Sequence, residues 1–576
     1  MKKIYTITLA LISALILGGC SDYLDTKPGD KYDDNTFWAN PTLVEQFVYK
    51  IYLGIPYPYQ WYMSGTLVDE QVPIQSDGTI TNVTSSLLTP DELGSFSSNW
   101  GGCMDGWWWQ TVYTNIRACN TFFKNMEQTL FTDQNKKEQL TGEVHFLRAY
   151  MYFMLMAQYG GVPLLEEPID LGEGYEYARN TFDETIKFIV KDLNAVIDNE
   201  RIKAQTDKHR ATLGAAYALK SRVLLYAASE IHHNLSWAAG YEHPELIGYV
   251  GGDRTQLYKD AKEAAEKCME LGYGLYDVNP DKTKNYQELF LQMTSDEQIF
   301  ISTYDKINTP DYMTDWVAWI CGTPSYGGYA LNQVTANLAD AFENIDGTAF
   351  NFATQKNNPY ANRDPRFDAI ILHNGSPWYG NKYWGTWFED LYIDINGEDG
   401  NNGVSTGYYM KKFISPLEND GYFGALRQPQ PYIQIRYAEV LLNYAEACLG
   451  LGDEDSARDK MTDIRLRAGM PAIPDSETGD ALWKRYMNER RVELAFEGHR
   501  FFDVRRWLVA PAAYTDAMGV KYDATTGTYS SFTFERHSWK DSHYLIPIKR
   551  SEMQKNAALL QNPRSEEHTS ELQSLY

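Results

Sequence analysis

The stretch Leu147–Leu165, LRAYMYFMLMAQYGGVPLL, reads at first like a membrane span. A spanning helix needs about 20 predominantly apolar residues with few charges. This run carries Arg148 at its start and Gln158 near its end, and Gly160-Gly161-Val162-Pro163 stops it early. Upstream the helical pattern continues through Glu143 and His145, with Leu140, Val144, Leu147, Met151, Met154 and Leu155 recurring at three- and four-residue steps. Tyr150, Tyr152 and Phe153 fill much of the remaining circumference. A helix apolar nearly all round is either a membrane span or the central helix of a large core. Its length and its flanking charges predict the core.

Outward from this helix, strong helical periodicity falls in two blocks, 41–271 and 431–563. In the second, YAEVLLNYAEACLGLGDEDSARDKMTDIR (437–465) pairs two helices across a short turn. Small Ala445, Ala447 and Ala457 permit close contact, and Gly450 and Gly452 end the first helix. The pattern resembles a tetratricopeptide unit. Between the blocks, over 272–430, Gly, Asn, Pro and aromatic residues displace the periodicity. The expected fold is therefore mainly α: tetratricopeptide-like helix pairs forming a scaffold, with a long irregular loop-rich insertion carrying short strands.

The membrane signal lies at the N-terminus. Lys2-Lys3 precede an apolar run, residues 4–17, too short for a convincing span, and the run enters LGGC (17–20). That element resembles the lipobox of bacterial lipoproteins, with Cys20 as the residue to be acylated. Residues 1–19 are then the signal peptide and 20–40 a polar, acidic tether. Each buried methylene is worth about 0.8 kcal/mol, so two or more acyl chains on Cys20 are expected to hold the protein on a membrane without a crossing helix. At the other end, RSEEHTSELQS (564–574) back-translates into a common sequencing-library adapter, so residues 564–576 are expected to be an artefactual tail.

A net charge of -25 argues against a nucleic-acid partner. Beyond Cys20, the cysteines Cys103, Cys119, Cys268, Cys321 and Cys448 are odd in number and show no CxxC spacing, which argues against a disulfide framework or a zinc site. No cofactor is expected. Aromatic residues make up 14% of the chain, more than an aliphatic core requires, and Tyr and Trp suit wet recognition surfaces.

Glu489, Glu493 and Glu497 share one helical face at i, i+4, i+8, a spacing open to glycoside chemistry. With Arg485, Arg490, Arg491 and Arg500 within reach, an ion-pair network is the expected reading. GVSTG (403–407) matches the nucleophile elbow formally, but a loop precedes it rather than a strand. Asp394, Asn396, Glu398 and Asp399 form a weak calcium candidate, since the calcium-loop pattern would also need an acidic residue at Tyr392. IHHN (231–234) reads as a surface turn rather than a metal site. Trp107–Trp109 open an amphipathic helix, so at least one packs in the core, and Trp507 reads as structural. Trp61, Trp100, Trp316 and Trp319, with Tyr312 and Tyr326, sit in non-periodic, Gly/Pro-rich segments, where binding residues concentrate. These six are the candidate ligand platforms.

Several long segments carry a family resemblance. GEVHFLRAYMYFMLMAQYGGVPLL (142–165), ATLGAAYALKSRVLLYAAS (211–229), IRLRAGM (464–470), NERRVELAFEGHRFFDVRRW (488–507) and YLIPIKRSEMQKNAALLQNP (544–563) resemble the SusD/RagB family of outer-membrane lipoproteins, with Lys549 a departure from its usual Pro or Gln. The resemblance implies a non-catalytic, surface-exposed lipoprotein. It captures oligosaccharide, or in a RagB-like alternative peptide, for a SusC-like TonB-dependent transporter. A lipoprotein glycoside hydrolase is the enzymatic rival.

Overall fold

The computed structural model of the chain describes residues 34–56, 62–74, 78–93, 109–169, 176–303, 317–324, 328–382, 386–397, 399–400, 405–414 and 431–565. Its axis is the helix Gln134–Tyr159, opened by Asp133, whose carboxylate accepts the Lys136 amide, and closed by Gly160 at φ 79°. Nearly every residue from Leu140 to Tyr159 is buried. The polar residues on this apolar cylinder are matched inside the protein. Arg148 donates from Nε and Nη2 to the two Asp192 oxygens, at 2.8 Å each, and from Nη1 to Asn120 at 2.9 Å. Its guanidinium lies 4.5 Å from the Phe123 ring centroid and 5.0 Å from that of Phe188. Glu143 accepts from Arg210 Nε at 2.9 Å and from the Tyr52 hydroxyl at 3.0 Å. Buried charges are tolerated only when paired in this way. Among the described residues, no helix is long and apolar enough to cross a membrane.

The helices Trp109–Gln128, Gln134–Tyr159, Phe182–Ile197, Leu213–Ala227, Arg254–Met269, Tyr437–Gly450 and Glu454–Arg467 pack each against the next. This is a stack of tetratricopeptide-like form. Those starting at Phe182, Leu213, Arg254 and Glu454 open on Thr181, Thr212, Asp253 and Asp453, whose side chains accept first-turn amides. Small residues set the spacing. A Cβ on Gly450 would lie 2.5 Å from the Tyr258 ring, so a larger residue there would push two helices apart. One apolar core therefore joins residues of both helical blocks and takes in Ile299 and Phe300.

The insertion contributes most of a second core, from Tyr286 to Ile433, completed by Met63, Val492, Ala495, Phe496 and Val520. All named strands pair as two-stranded antiparallel ribbons: Gln71–Pro73 with Asn332–Val334, Gln298–Ser302 with Tyr432–Arg436, Ile371–His373 with Tyr408–Met410, Pro377–Lys382 with Thr386–Tyr392, and Ala517–Asp523 with Thr528–Glu535.

One expectation needs correction here. His232 forms a turn as the sequence suggests, but not a surface one: it is buried, stacks on Phe182 and has Nδ1 2.7 Å from the Ile247 carbonyl oxygen. Burial pushes its pKa down to about 3, which keeps it neutral. The turn folds inward because Phe182 offers a ring for it to stack on.

Candidate functional site

Trp61, Trp100, Tyr312, Trp316 and Tyr326 lie outside the described residues, as does Cys20. Trp319 lies on the short helix Val317–Cys321, with its side chain outside the description. The described residues bordering these segments nevertheless locate their roots. Ser302 pairs with Tyr432 at one end of a ribbon, so 304–316 leaves and 415–430 arrives at the same place. There Gln434 donates from Nε2 to the Pro56 carbonyl at 3.0 Å and to Ser302 Oγ at 3.2 Å, which brings in the entry to 57–61.

The exit from 57–61 meets a different set of residues. The Met63 amide donates to Asn332 Oδ1 at 3.0 Å, and Cys321 Sγ lies 3.6 Å from Met63 Sδ. Gly328 and Ala330 donate back to Thr323 and Gly322, which closes the loop that holds 325–327. A Cβ on Gly328 would sit 2.1 Å from the Gly322 carbonyl oxygen, so that closure requires glycine. Met63, Ile301, Val317, Ile320, Cys321, Leu331 and Tyr432 all belong to the second core. The segments carrying Trp61, Tyr312, Trp316, Trp319 and Tyr326 are thus bordered by residues of this core, while Ile55, ahead of 57–61, belongs to the first core. The segment with Trp100 is rooted elsewhere, between Leu93 and Trp109 of the first core, where Trp109 packs on Tyr159 at 5.1 Å.

The carboxylate ladder is an ion network, with partners other than the local arginines. Glu489 accepts from Arg366 at 2.6 Å and Arg465 at 2.9 Å; Glu493 from Arg366 at 2.9 Å, Arg436 at 2.7 Å and also Arg467; Glu497 from Arg436 and Lys412, each at 2.7 Å. Arg490 instead meets Asp503, Arg491 and Arg500 meet Asp69, and Arg485 meets Glu343 and Glu477. Successive residues on a helix point to different neighbours, so Arg490 and Arg491 leave the ladder's face. Burial pushes Glu493 toward protonation, but Arg467, Arg436 and Arg366 outweigh it and hold the carboxyl well below its ordinary range. Glu489 and Glu497 are lowered by the same balance, burial against Arg366 and Arg465 in one case and against Arg436 and Lys412 in the other. All three side chains are 0–4% exposed. A glycosidase acid needs a raised pKa and access to substrate, and this ladder has neither.

In the loop after residue 392, the Asp394 carboxylate accepts the Asn396 amide and that of Asp399 accepts the Asp394 amide, both at 3.0 Å. Asp399 is buried, and Glu398 lies outside the described residues. These carboxylates cap a turn. Ser405 in turn leads into the strand Tyr408–Met410, with Gly407 donating to its hydroxyl, so the strand–turn–helix context of a nucleophile elbow is not met. A cleft of about 480 Å³ opens between Ala238–His243 and Leu560–Ser565, and Arg564 and Ser565 of the expected artefactual tail form part of its wall.

Comparison with known proteins agrees along most of the chain. Residues 290–564 match the family model described as the SusD family, and residues 22–225 match one described as "starch-binding associating with outer membrane". A SusD-like protein of Bacteroides ovatus is 25% identical over 520 residues, covering 86% of this chain and 81% of the relative. Among solved structures, a SusD-like protein from Bacteroides fragilis superposes with a TM-score of 0.75 at 28% identity, covering 93% of this chain and 99% of that one. A SusD-like carbohydrate binding protein, also from Bacteroides fragilis, shares the fold with a TM-score of 0.69 at 22% identity, covering 91% of this chain and 100% of that one.

Proposed function

We propose, from the premise that this chain belongs to the SusD/RagB family, that it is a surface lipoprotein. Anchored in the outer membrane through Cys20, it captures oligosaccharide and passes it unaltered to a SusC-like TonB-dependent transporter. The observation that carries this reading is the match of residues 22–225 to a family described as starch-binding and associating with the outer membrane, beside the SusD match over 290–564. Sugars present C–H faces that stack on aromatic rings, and hydroxyls that pair with Asn, Asp and Tyr. Loops on a rigid scaffold are suited to displaying such groups. The sealed carboxylate ladder supports capture over hydrolysis, and the relative described as carbohydrate binding supports the choice of ligand.

Trp316→Ala or Trp319→Ala is expected to weaken oligosaccharide binding about tenfold. Base–aromatic stacking is worth about 1–3 kcal/mol per ring, sugar stacking is of similar or smaller size, and 1.4 kcal/mol is a factor of ten. Salt should change the affinity little, because stacking involves few ionic contacts. Calorimetric titration of each variant, with a melt to confirm folding, is the test. Unchanged affinity in the Trp61, Trp100, Trp316 and Trp319 variants alike would displace the site.

Cys20→Ala should leave the protein folded but unanchored, because that residue contributes acylation and not packing. Fractionation of a strain lacking the transporter checks this. Persistence of the variant in the outer membrane would refute the anchor.

A further inference from the structure

The corner Asp69-Glu70, between the turn Ser64–Leu67 and the strand Gln71–Pro73, buries two adjacent carboxyl groups, 4% and 2% exposed. It lies where the two cores meet: Leu67 and Val68 before it belong to the first, and Phe496, whose amide reaches it, to the second. Thr335 fixes its backbone, donating its amide to the Glu70 carbonyl at 3.0 Å and its hydroxyl to the Asp69 carbonyl at 2.6 Å. Buried polar groups held in this way must find their partners where they lie.

The two carboxyls are served unequally. Arg500 donates from Nε and Nη2 to the two Asp69 oxygens, at 2.9 Å each, and Arg491 Nη2 lies 2.8 Å from Asp69 Oδ2. Glu70 Oε2 accepts one long bond, from the Phe496 amide at 3.4 Å, and Glu70 Oε1 is buried with no hydrogen-bond partner among the described residues. Phe496 gives its bond from a strained backbone, at φ 65°.

The charges on the other sides bring Glu70 no further cation. Asp340 acts on Arg491 as a second acid, the Tyr514 hydroxyl donates to the Leu67 carbonyl, and Lys412, bonded to the Ala495 carbonyl beside Phe496, is engaged by Glu497. Adjacent buried carboxyls that share one set of cations do not ionise alike. Burial and the Asp69 charge push Glu70 up to about 7. Burial acts on Asp69 too, but Arg491 and Arg500 outweigh it and hold that carboxyl at about 2.

We propose that Glu70 makes this corner a proton-sensitive seam between the two cores, closed while its carboxyl is uncharged and loosened when the proton leaves to solvent. The inference stands independently of the capture function proposed above. Its sign is fixed by linkage. Unfolded glutamate titrates near 4.3, so below about pH 4.3 Glu70 is protonated in both states and adds no pH trend. As pH rises from there through about 7, the folded state holds the extra proton and its stability declines. His232 and His499, pushed by burial down to about 3 and about 4, act in the opposite sense over part of this window, so only a comparison with a variant isolates Glu70.

The experiment is thermal unfolding of the full chain and of Glu70→Gln from about pH 5 to about pH 8. It is paired with hydrogen exchange over 62–73 and 494–500, corrected for the intrinsic pH dependence of exchange. The variant cannot ionise at this position. It should match the wild type near pH 5 and melt above it near pH 8, with the gap widening as pH rises. Between about pH 6 and about pH 8, wild-type exchange in the two segments should quicken roughly tenfold, since one pH unit above the folded value is a factor of ten in ionised over protonated carboxyl. Exchange in the central helix should stay constant, and the quickening should be missing from Glu70→Gln. Melting curves of the two proteins that run parallel from about pH 5 to about pH 8 would overturn the proposal. So would constant wild-type exchange in both segments, a result that needs no variant and decides the matter even where Glu70→Gln fails to fold.

Discussion

Glu493→Gln is expected to lower stability by about 3–5 kcal/mol, the usual effect of breaking a buried ion pair by removing one partner. Glutamine keeps the volume, so the loss isolates charge and hydrogen bonding. In the native protein the carboxylate serves Arg366, Arg436 and Arg467, with a side chain 0% exposed. The substitution leaves three buried guanidinium groups short of negative charge, and the remaining acids, Glu489, Glu497, Glu297 and Asp364, are already engaged with these or neighbouring cations.

The pH dependence follows from the same balance. Glu493, Glu489 and Glu497 are lowered in the folded state, so their stabilisation is complete above the unfolded carboxylate value of about 4.3. It is lost as pH falls through the lower folded values, because the unfolded chain then binds more protons than the folded one. Wild-type melting temperature should thus fall steeply below about pH 4.3, and Glu493→Gln should show a shallower acid limb. A variant that melts with the wild type at neutral pH would refute the network's role. Glycan titration of the folded fraction should give wild-type affinity, since the ladder is sealed from solvent.

Arg148→Met should cost about as much, roughly 3–5 kcal/mol. Methionine keeps an unbranched apolar stem on the central helix but not the guanidinium, and so loses both hydrogen bonds to Asp192 and the one to Asn120. Asp192, 1% exposed, then retains the His145 ring nitrogen 2.7 Å away as a hydrogen-bond partner. Burial pushes the Asp192 carboxyl up, and Arg148 with His145 at present more than offsets it. The single variant should therefore raise the Asp192 pKa. Arg148→Met combined with Asp192→Leu should recover much of the loss, because replacing both members of a buried pair by apolar groups is often close to neutral. Equal destabilisation in the single and double variants would mean that packing around the guanidinium, between the Phe123 and Phe188 rings, and not its charge, holds the helix.

The central helix was legible because its periodicity and its interruptions are local. Apolar residues at three- and four-residue steps, Arg148 within the run and Gly160-Gly161 after it needed no knowledge of neighbours to predict a buried element. Gly161 also has a tertiary reason: a Cβ there would lie 2.2 Å from the Asn180 carbonyl oxygen. The same locality made Ala445, Ala447 and Ala457 readable as a close helix contact.

By itself, then, the sequence determined the mainly helical scaffold, its paired helices, the family resemblance and the ionic character of Glu489 and Glu493, which share one helical face; the helix ends at Glu493, so Glu497 reaches the network from the turn that follows and not from that face. Only the tertiary structure decided which cations meet that face. Arg366 and Arg436 arrive from elements 127 and 57 residues away, while adjacent Arg490 and Arg491 turn to Asp503 and Asp69. It likewise decided that His232 is buried. Helical spacing states which side chains share a face, whereas the identity of what covers that face is set by long-range packing, whose partners carry no periodic mark in the chain.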